Sequence, residues 1–325
     1  MPAWSSLTAE QKKVYARFAE GYGAFLEYTD SEIGRFVDHL RATNQLDNTA
    51  IFVIIGDNGA SKEGGKNGSL VSELHPLTKD DRGQVAELLA RIDDIGTSRT
   101  YSNYPIGWAQ TFNTPFRQWK ADANAEGGTR NPLIVHWPKA VPHGEVRAQY
   151  AHVIDLLPTA LEISGSPLPN EVRGIKQDPV QGTSLAYSLA DASAPTRHTQ
   201  QYYFLFGAGG IVKDGWKASF GYRPDYVDLF QTYPAPKDPP NNAGKQVWEL
   251  YDLNSDINER VDLAKGNPAK LRELQALFAA EAQANHVYPL INWSDVTVKI
   301  QKQLGTGVST PAIPEGPSGA RGGGD

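Results

Sequence analysis

The chain of 325 residues contains no cysteine. This absence excludes a disulfide scaffold, a cysteine-ligated zinc or iron–sulfur site and a thiol nucleophile within the chain. A membrane-spanning helix needs roughly 18 consecutive apolar residues, and the longest compact apolar run here is only Ala50 to Ile55. We therefore expect a soluble protein without a membrane span, while its compartment, cytoplasmic or periplasmic, stays open.

The chain also has fewer positively than negatively charged residues. Lys and Arg number 31 against 37 Asp and Glu, which gives a net charge of −6. A surface that coats nucleic acid, or a polybasic face that docks on a membrane, needs a clustered excess of Lys and Arg. The composition therefore excludes nucleic acid as a partner and leaves small anionic molecules open.

The first part of the chain has the alternating pattern of an α/β protein. Thr8-Ala9-Glu10-Gln11 has the form of a capping box and predicts the start of a long helix. The β-branched run from Ala50 to Ile55, and a second run from Pro132 to Trp137, predict strands buried on both faces of a parallel sheet. Between 56 and 130 only one helix is convincing, around Val85 to Ile92, and a further helix is expected near Asp155. Long irregular segments of this kind are usually functional.

The residue pattern of the chain changes near residue 200. Short aromatic-rich runs separated by Gly, Pro and Asp turns predict a small antiparallel sheet; they are Gln201 to Phe206, Gly210 to Lys213, Trp216 to Tyr222 and Val247 to Leu253. Asn267-Pro268 predicts the start of a helix whose apolar face packs on that sheet. We place an α/β region at 1–190, a C-terminal α+β subdomain at 191–300 and a disordered tail, rich in Pro and Gly, at 301–325.

The first candidate for chemistry is Gly56-Asp57-Asn58-Gly59, directly after the first buried strand. Ligands collect at the carboxyl ends of strands in open α/β sheets. The Asp57 carboxylate and the Asn58 amide oxygen are therefore positioned to bind a hard cation such as Ca²⁺ or Mg²⁺. Asn-Gly is also a common turn dipeptide, so a simple turn remains the alternative.

The second candidate is Glu126-Gly127-Gly128-Thr129-Arg130, with Lys120 six positions before its glutamate. Adjacent glycines let a backbone turn closely beneath a site, and a lysine ammonium can hold an anionic oxygen as a compact point charge. A solvated lysine on a loop is the alternative. The polar and aromatic stretch from Tyr101 to Arg117 can line a cleft, although packing alone explains its aromatic residues.

Taken together, these segments resemble the second half of an arylsulfatase. The segments that carry the resemblance, in order, are Ile51 to Gly65, Tyr101 to Lys120, Glu126 to Lys139, His152 to Ser164, Ala194 to His198, Asp214 to Lys217 and Trp248 to Leu253. The resemblance extends from about Trp4 to about Tyr288. It implies an alkaline-phosphatase-like α/β fold, of which 1–190 is the second half of the catalytic domain, with a small C-terminal sheet.

The resemblance also implies a chemistry: hydrolysis of sulfate esters with a bound Ca²⁺. Asp57 and Asn58 fall on the late pair of metal ligands of this family, and Lys120 falls on the lysine that contacts the sulfate group. A divalent cation and a lysine both offset charge on the transferring sulfuryl oxygens. Small sulfate esters are therefore the expected substrates.

Other parts of a sulfatase site are missing from the sequence. Sulfatases also need an early pair of Asp ligands and a formylglycine nucleophile made from a Cys- or Ser-x-Pro-x-Arg motif that lies upstream. The string Ser193-Ala194-Pro195-Thr196-Arg197 matches the serine form but lies far downstream of Asp57, so we interpret it as a turn between domains. The segment from Met1 to Leu7 lacks the features of a signal peptide and continues directly into helix-forming sequence. We expect the C-terminal part of a longer enzyme, inactive alone.

The resemblance leaves two other functions open. A phosphomonoester or phosphonate hydrolase on the same fold would use the same metal and lysine. A non-catalytic remnant that binds anions or glycans would keep Asp57, Asn58 and Lys120 without catalysis. We also expect self-association, because a sheet that lacks neighbouring strands exposes apolar edges.

Overall fold

The computed structural model describes residues 2–56, 58–71, 83–141, 143–205, 207–221 and 246–290. The helices are α1 (Ala9–Ala42), α2 (Val85–Ala90), α3 (Ile106–Phe112), α4 (Glu126–Thr129), α5 (Leu156–Ser164), α6 (Ala186–Ala190) and α7 (Pro268–Ala284). The strands are β1 (Ile51–Ile54), β2 (Leu133–His136), β3 (Glu171–Val172), β4 (Ile175–Lys176), β5 (Gln200–Leu205), β6 (Ala208–Lys213), β7 (Trp216–Phe220) and β8 (Trp248–Asp252). None of the helices within these ranges combines the length and apolar character required of a membrane span. The segment 301–325, predicted as a disordered tail, lies outside the described residues.

The capping box at Thr8 starts the long helix α1 as predicted. Gln11 N donates to Thr8 Oγ1 at 3.2 Å, and Thr8 N donates to Gln11 Oε1 at 2.9 Å. These two bonds satisfy amide groups that would otherwise lack partners at the helix start. Near this end Val14 and Phe18 are buried against α2 and the segment that follows it. This packing fixes α1 against the loops that precede the candidate site.

The two apolar strands, each predicted to belong to a parallel sheet, run antiparallel to each other. Strands β1 and β2 pair antiparallel, with Ile51 opposite His136 and Ile54 opposite Leu133, in a two-stranded sheet. The chain leaves β1 and re-enters β2 at the same end, where Ile55 N donates to Pro132 O at 3.1 Å. Apolar content reveals a tendency to be buried but not the direction of a strand, because the connection is long enough to return either way.

The two strands are also less buried than their apolar sequence predicts. The exposed fractions of Ile54, Ile55 and Ile134 are 45%, 46% and 51%. A strand that is buried on both faces needs layers of structure on both sides, and the described part of the chain leaves these three side chains substantially open to solvent. Ile54 lies on one face of the two-stranded sheet and Ile134 on the other, so both faces carry exposed apolar side chains.

The region between β1 and β2 contains more helix than the sequence predicts. The expected helix appears as α2, but α3 and α4 also form, with seven and four residues. Both are too short for apolar periodicity to reveal them. They matter because α3 leads into the Lys120 segment and α4 carries the two adjacent glycines.

The C-terminal region forms the predicted antiparallel sheet with a helix packed on it. Strands β5, β6, β7 and β8 pair in that order, each antiparallel to its neighbour. Helix α7 contributes Leu274 and Phe278 to a core shared with Ile211, Phe220 and Leu250, all almost inaccessible to solvent. Phe206 and Tyr222, at the ends of two predicted strands, lie outside the described residues. The limits at 190 and 300 stay predictions.

Candidate functional site

Two loops that are far apart in the sequence meet at Gly59. Gly59 has a φ of +85°, and a Cβ at this position would lie 1.9 Å from Gly127 O and 3.1 Å from Lys120 N. Only glycine permits so close an approach in this backbone conformation. Lys120 N in turn donates to Ala60 O at 3.0 Å. The structure therefore brings Asn58, Lys120 and the adjacent glycines together, whereas Asp57 lies outside the described residues.

Asn113 ties these loops to each other. Its Nδ2 donates to Gln118 O at 2.8 Å and to Gly127 O at 2.7 Å, while its Oδ1 accepts from Ala60 N at 3.0 Å. One amide side chain thus satisfies three backbone groups on three different segments. The sequence placed Asn113 in a stretch that can line a cleft, and its observed role is to fix the loops around Lys120.

The Lys120 ammonium lies beside a carboxylate. Lys120 Nζ is 2.7 Å from Glu63 Oε1, and the exposed fractions of the two side chains are 34% and 10%. Ser61 Oγ donates a second hydrogen bond to Glu63. Burial alone would raise the pKa of Glu63, but the hydrogen bonds from Lys120 and Ser61 lower it below its ordinary value. The Glu63 carboxylate is therefore ionised at neutral pH.

A second ion pair lies next to the first. Lys62 Nζ is 3.1 Å from Asp122 Oδ1 and 5.6 Å from the centre of the Trp119 ring. Lys62 is almost fully buried, so desolvation lowers its pKa, while Asp122 acts in the opposite direction. The neighbours Lys62 and Glu63 thus each pair with the segment that contains Lys120. The two pairs hold the loop after β1 against that segment.

A buried ionic network anchors α4 to the C-terminal sheet. Lys217 Nζ, on β7, lies 2.9 Å from Glu126 Oε1 and 2.9 Å from Glu259 Oε1, and its side chain is inaccessible to solvent. Glu259 Oε2 also accepts from Glu126 N at 2.9 Å and from Arg117 Nε at 3.1 Å. Burial lowers the pKa of Lys217, but the two carboxylates outweigh it and the pKa is raised. The sequence revealed Glu126 but gave no sign of its partners.

A second buried pair joins the start of α5 to β5. His198 Nδ1 lies 2.8 Å from Asp155 Oδ1, and His198 Nε2 lies 3.0 Å from Gln200 O. Both ring nitrogens face acceptors, which favours the doubly protonated imidazolium. The hydrogen bond to Asp155 raises the pKa of His198. Burial raises the pKa of Asp155, but its bonds to His198, Thr183 N and His152 N outweigh this and lower it.

The serine string that resembles a nucleophile motif lies between α6 and β5. Ser193 N and Oγ donate to Asp191 Oδ1 at 2.8 and 2.6 Å, and the Arg197 guanidinium lies 4.2 Å from the centre of the Tyr187 ring. These local contacts are those of a turn, in agreement with the interpretation from sequence.

The described residues supply only part of a metal site. They contain no group of three or more His, Asp or Glu side chains arranged to hold an ion. Asn58 is half-buried beside Gly59, and its amide oxygen has the chemistry that a hard cation prefers. The predicted pair Asp57 and Asn58 is compatible with Ca²⁺ in its donor types, although a full coordination shell needs ligands beyond these two.

Comparisons with known protein families identify two matching models. The model described as Sulfatase matches residues 4–166, and the model described as N-sulphoglucosamine sulphohydrolase, C-terminal, matches residues 123–281. The first match covers the candidate site, and the two together cover most of the α/β region, the C-terminal sheet and most of α7.

Curated relatives and a solved structure agree with these matches. An uncharacterized sulfatase of Schizosaccharomyces pombe is 30% identical over 276 residues, which are 84% of this chain and 44% of that protein. An arylsulfatase of Klebsiella aerogenes is 27% identical over 162 residues, which are 50% of this chain and 32% of that protein. The crystal structure of Ps i-CgsB in complex with k-i-k-neocarrahexaose matches with a TM-score of 0.53 and 20% identity, over 93% of this chain and 49% of that chain. The chain spans less than half the length of these proteins.

Substitution of Gly59 by alanine tests the contact between the loops. The new Cβ would overlap Gly127 O and push the loop after β1 away from Lys120 N. We expect hydrogen exchange at the Lys120 amide to accelerate by at least about tenfold, which corresponds to about 1.4 kcal/mol of lost protection. Gly23→Ala is the control, because a Cβ there meets nothing within 4 Å. An unchanged exchange rate in Gly59→Ala would contradict the contact.

The Asp155–His198 pair makes stability depend on pH. Because folding raises the pKa of His198, its protonated form stabilises the folded state fully below about pH 6.5. This stabilisation is lost as pH rises through the folded-state pKa. Because folding lowers the pKa of Asp155, its carboxylate stabilises the folded state above about pH 3.9. This stabilisation is lost as pH falls through the folded-state pKa. We therefore expect His198→Gln to lower the free energy of unfolding more at pH 5 than at pH 9, by about 1–3 kcal/mol at pH 5. Urea unfolding measures this, with the exposed His136→Gln as control, and an equal loss at both pH values would contradict it.

Proposed function

Because this chain belongs to the sulfatase family, with its alkaline-phosphatase-like α/β fold, we propose that it provides one side of the site of a sulfuric ester hydrolase. In this proposal Lys120 contacts the sulfate group of the substrate, and Asp57 and Asn58 are metal ligands. The observation that carries the proposal is the close contact of Gly59 with Lys120 and Gly127. This contact brings together the segments of Asn58, Lys120 and Glu126, all of which were predicted from sequence to belong to the site.

The environment of Lys120 supports a role in binding an anion. Its ammonium is partly exposed, and its backbone is held by Ala60 O. A lysine held in this way acts as a preorganised positive charge, which is worth more in a site with little water than in bulk solvent. We propose sulfate monoesters as the substrate class and aryl sulfates as its first representatives, because the Klebsiella aerogenes relative carries the name arylsulfatase.

We propose that the metal is Ca²⁺. The support is the donor chemistry of Asp57 and Asn58, both oxygen ligands of the kind that hard cations prefer. A bound divalent cation would supply charge stabilisation to the sulfuryl oxygens. With two ligands from this chain, affinity should be weak, in the range of about 10⁻⁴ to 10⁻³ M or weaker.

We propose further that the chain alone does not turn over sulfate esters. It has no cysteine to convert to formylglycine, and its Ser193 string lies in a turn between α6 and β5. The nucleophile and the remaining metal ligands would then lie in sequence outside these 325 residues. Release of p-nitrophenol from p-nitrophenyl sulfate by the purified chain, abolished by Lys120→Ala, would contradict this proposal.

Binding of a sulfate ester tests the role of Lys120 directly. Isothermal titration calorimetry with p-nitrophenyl sulfate, at saturating Ca²⁺, should show an affinity that Lys120→Ala weakens by at least about tenfold, since a charged hydrogen bond contributes about 1.5–3 kcal/mol. The control is Lys139→Ala, whose ammonium instead contacts Asn48 Oδ1. Equal affinity in the wild type and Lys120→Ala would overturn the proposed function.

We also propose that the chain associates with itself through the sheet of β1 and β2, whose faces carry exposed apolar side chains. Ile54 and Ile134, both about half exposed, lie on opposite faces of this two-stranded sheet. Open strand edges and exposed apolar patches both promote association between chains. We expect sedimentation velocity to show concentration-dependent association that the double substitution Ile54→Lys and Ile134→Lys suppresses. Val146→Lys, at an isolated residue that is 95% exposed, should have no effect. A monomer with a sharp unfolding transition would contradict the proposal.

A further inference from the structure

The Glu63 carboxylate lies where it would face any anion bound to Lys120. Glu63 Oε1 is 2.7 Å from Lys120 Nζ, and the carboxylate is almost buried while the ammonium is one-third exposed. An ammonium has three N–H donors, so the contact with Glu63 leaves donors for a ligand that approaches from solvent. Such a ligand would therefore bind with a fixed negative charge nearby.

The loops prevent this carboxylate from moving away. Lys62, the residue before Glu63, is held by Asp122 Oδ1 at 3.1 Å in a nearly solvent-free pair. On the other side, Gln118 and Ala121 flank the Lys120 segment with φ values of +65° and +74°, a left-handed conformation that non-glycine residues adopt only when their surroundings enforce it. Ser61 Oγ also holds Glu63 from its own loop. Glu63 and Lys120 are thus a preorganised pair.

The fixed carboxylate affects ligands according to their charge. Coulomb repulsion from Glu63 is proportional to the charge on the bound group. A sulfate monoester carries one negative charge, whereas a phosphate monoester carries two above its second pKa of about 6. Repulsion therefore weakens the binding of a phosphate monoester about twice as much, on a logarithmic scale, as that of a sulfate monoester.

We propose that Glu63 is a positioning and specificity-determining residue: it orients the Lys120 ammonium and makes the site favour singly charged sulfate monoesters over doubly charged phosphate monoesters. The inference rests on the proposed function, because it takes Lys120 as the contact of the sulfate group. It adds a physical reason why a lysine and a metal, which suit phosphoryl groups equally well, select sulfuryl groups here.

The test compares two probes of the same shape and different charge. Phenyl sulfate and phenyl phosphate are titrated into the full 325-residue chain at pH 8 and saturating Ca²⁺. In Glu63→Gln we expect the affinity for phenyl sulfate to rise by roughly threefold and that for phenyl phosphate by roughly tenfold, because repulsion scales with ligand charge. The ratio of the two affinities is the decisive readout, since a general loosening of the loops would change both affinities alike.

Three further variants make the test decisive. Glu63→Met removes the charge without the amide group of glutamine and should shift the ratio in the same direction, which keeps the inference testable if Glu63→Gln fails to fold. Glu63→Asp keeps the charge, and Glu20→Gln removes an exposed carboxylate on α1 that pairs with Arg17; both should leave the ratio close to that of the wild type.

The outcomes separate the inference from the proposed function. If Lys120→Ala weakens both probes but the ratio is the same in Glu63→Gln, Glu63→Met and the wild type, the inference is wrong and the proposed function stands. If Lys120→Ala changes the binding of neither probe, the proposed function fails and the inference fails with it. A shift in the ratio toward phosphate, in the charge-removing variants alone, supports both.

Discussion

The structure around the candidate site depends on the ammonium group of Lys217, which is buried between Glu126 and Glu259. Removal of one partner from such a pair typically costs about 3–5 kcal/mol, because the remaining charge stays buried. The network fixes α4 on the C-terminal sheet. Gly127, on α4, packs closely against Gly59. The small C-terminal sheet therefore supports the loops of the candidate site.

Backbone hydrogen bonds, the Asn113 side chain and ion pairs together hold the loops of the candidate site. Lys120 N bonds to Ala60 O, and Asn113 joins three backbone segments. These bonds fix the backbone around Lys120, whose ammonium is one-third exposed. The Glu63 carboxylate pairs with this ammonium at 2.7 Å. Preorganisation of this kind lowers the cost of binding a charged group.

Much of this architecture could be predicted from local sequence. The capping box at Thr8, the aromatic strands after residue 200 and Asn267-Pro268 each carry their own signal, and each element forms. The direction of β1 relative to β2 could not be predicted, because it depends on how a long connection returns. The partners of Glu126 could not be predicted either, since Lys217 and Glu259 lie 91 and 133 residues away. Juxtaposed motifs identified the loops of the site but not the charges that hold them.

A crystal structure of the 325-residue chain with Ca²⁺ and p-nitrophenyl sulfate would show whether Lys120 binds the sulfate group. We expect a sulfate oxygen about 2.7–2.9 Å from Lys120 Nζ, the distance of a charge-assisted hydrogen bond. The cation should lie beside Asn58, and Glu63 should remain in contact with the same ammonium. A sulfate group bound elsewhere, with Lys120 Nζ in contact with Glu63 alone, would contradict the proposed role of Lys120.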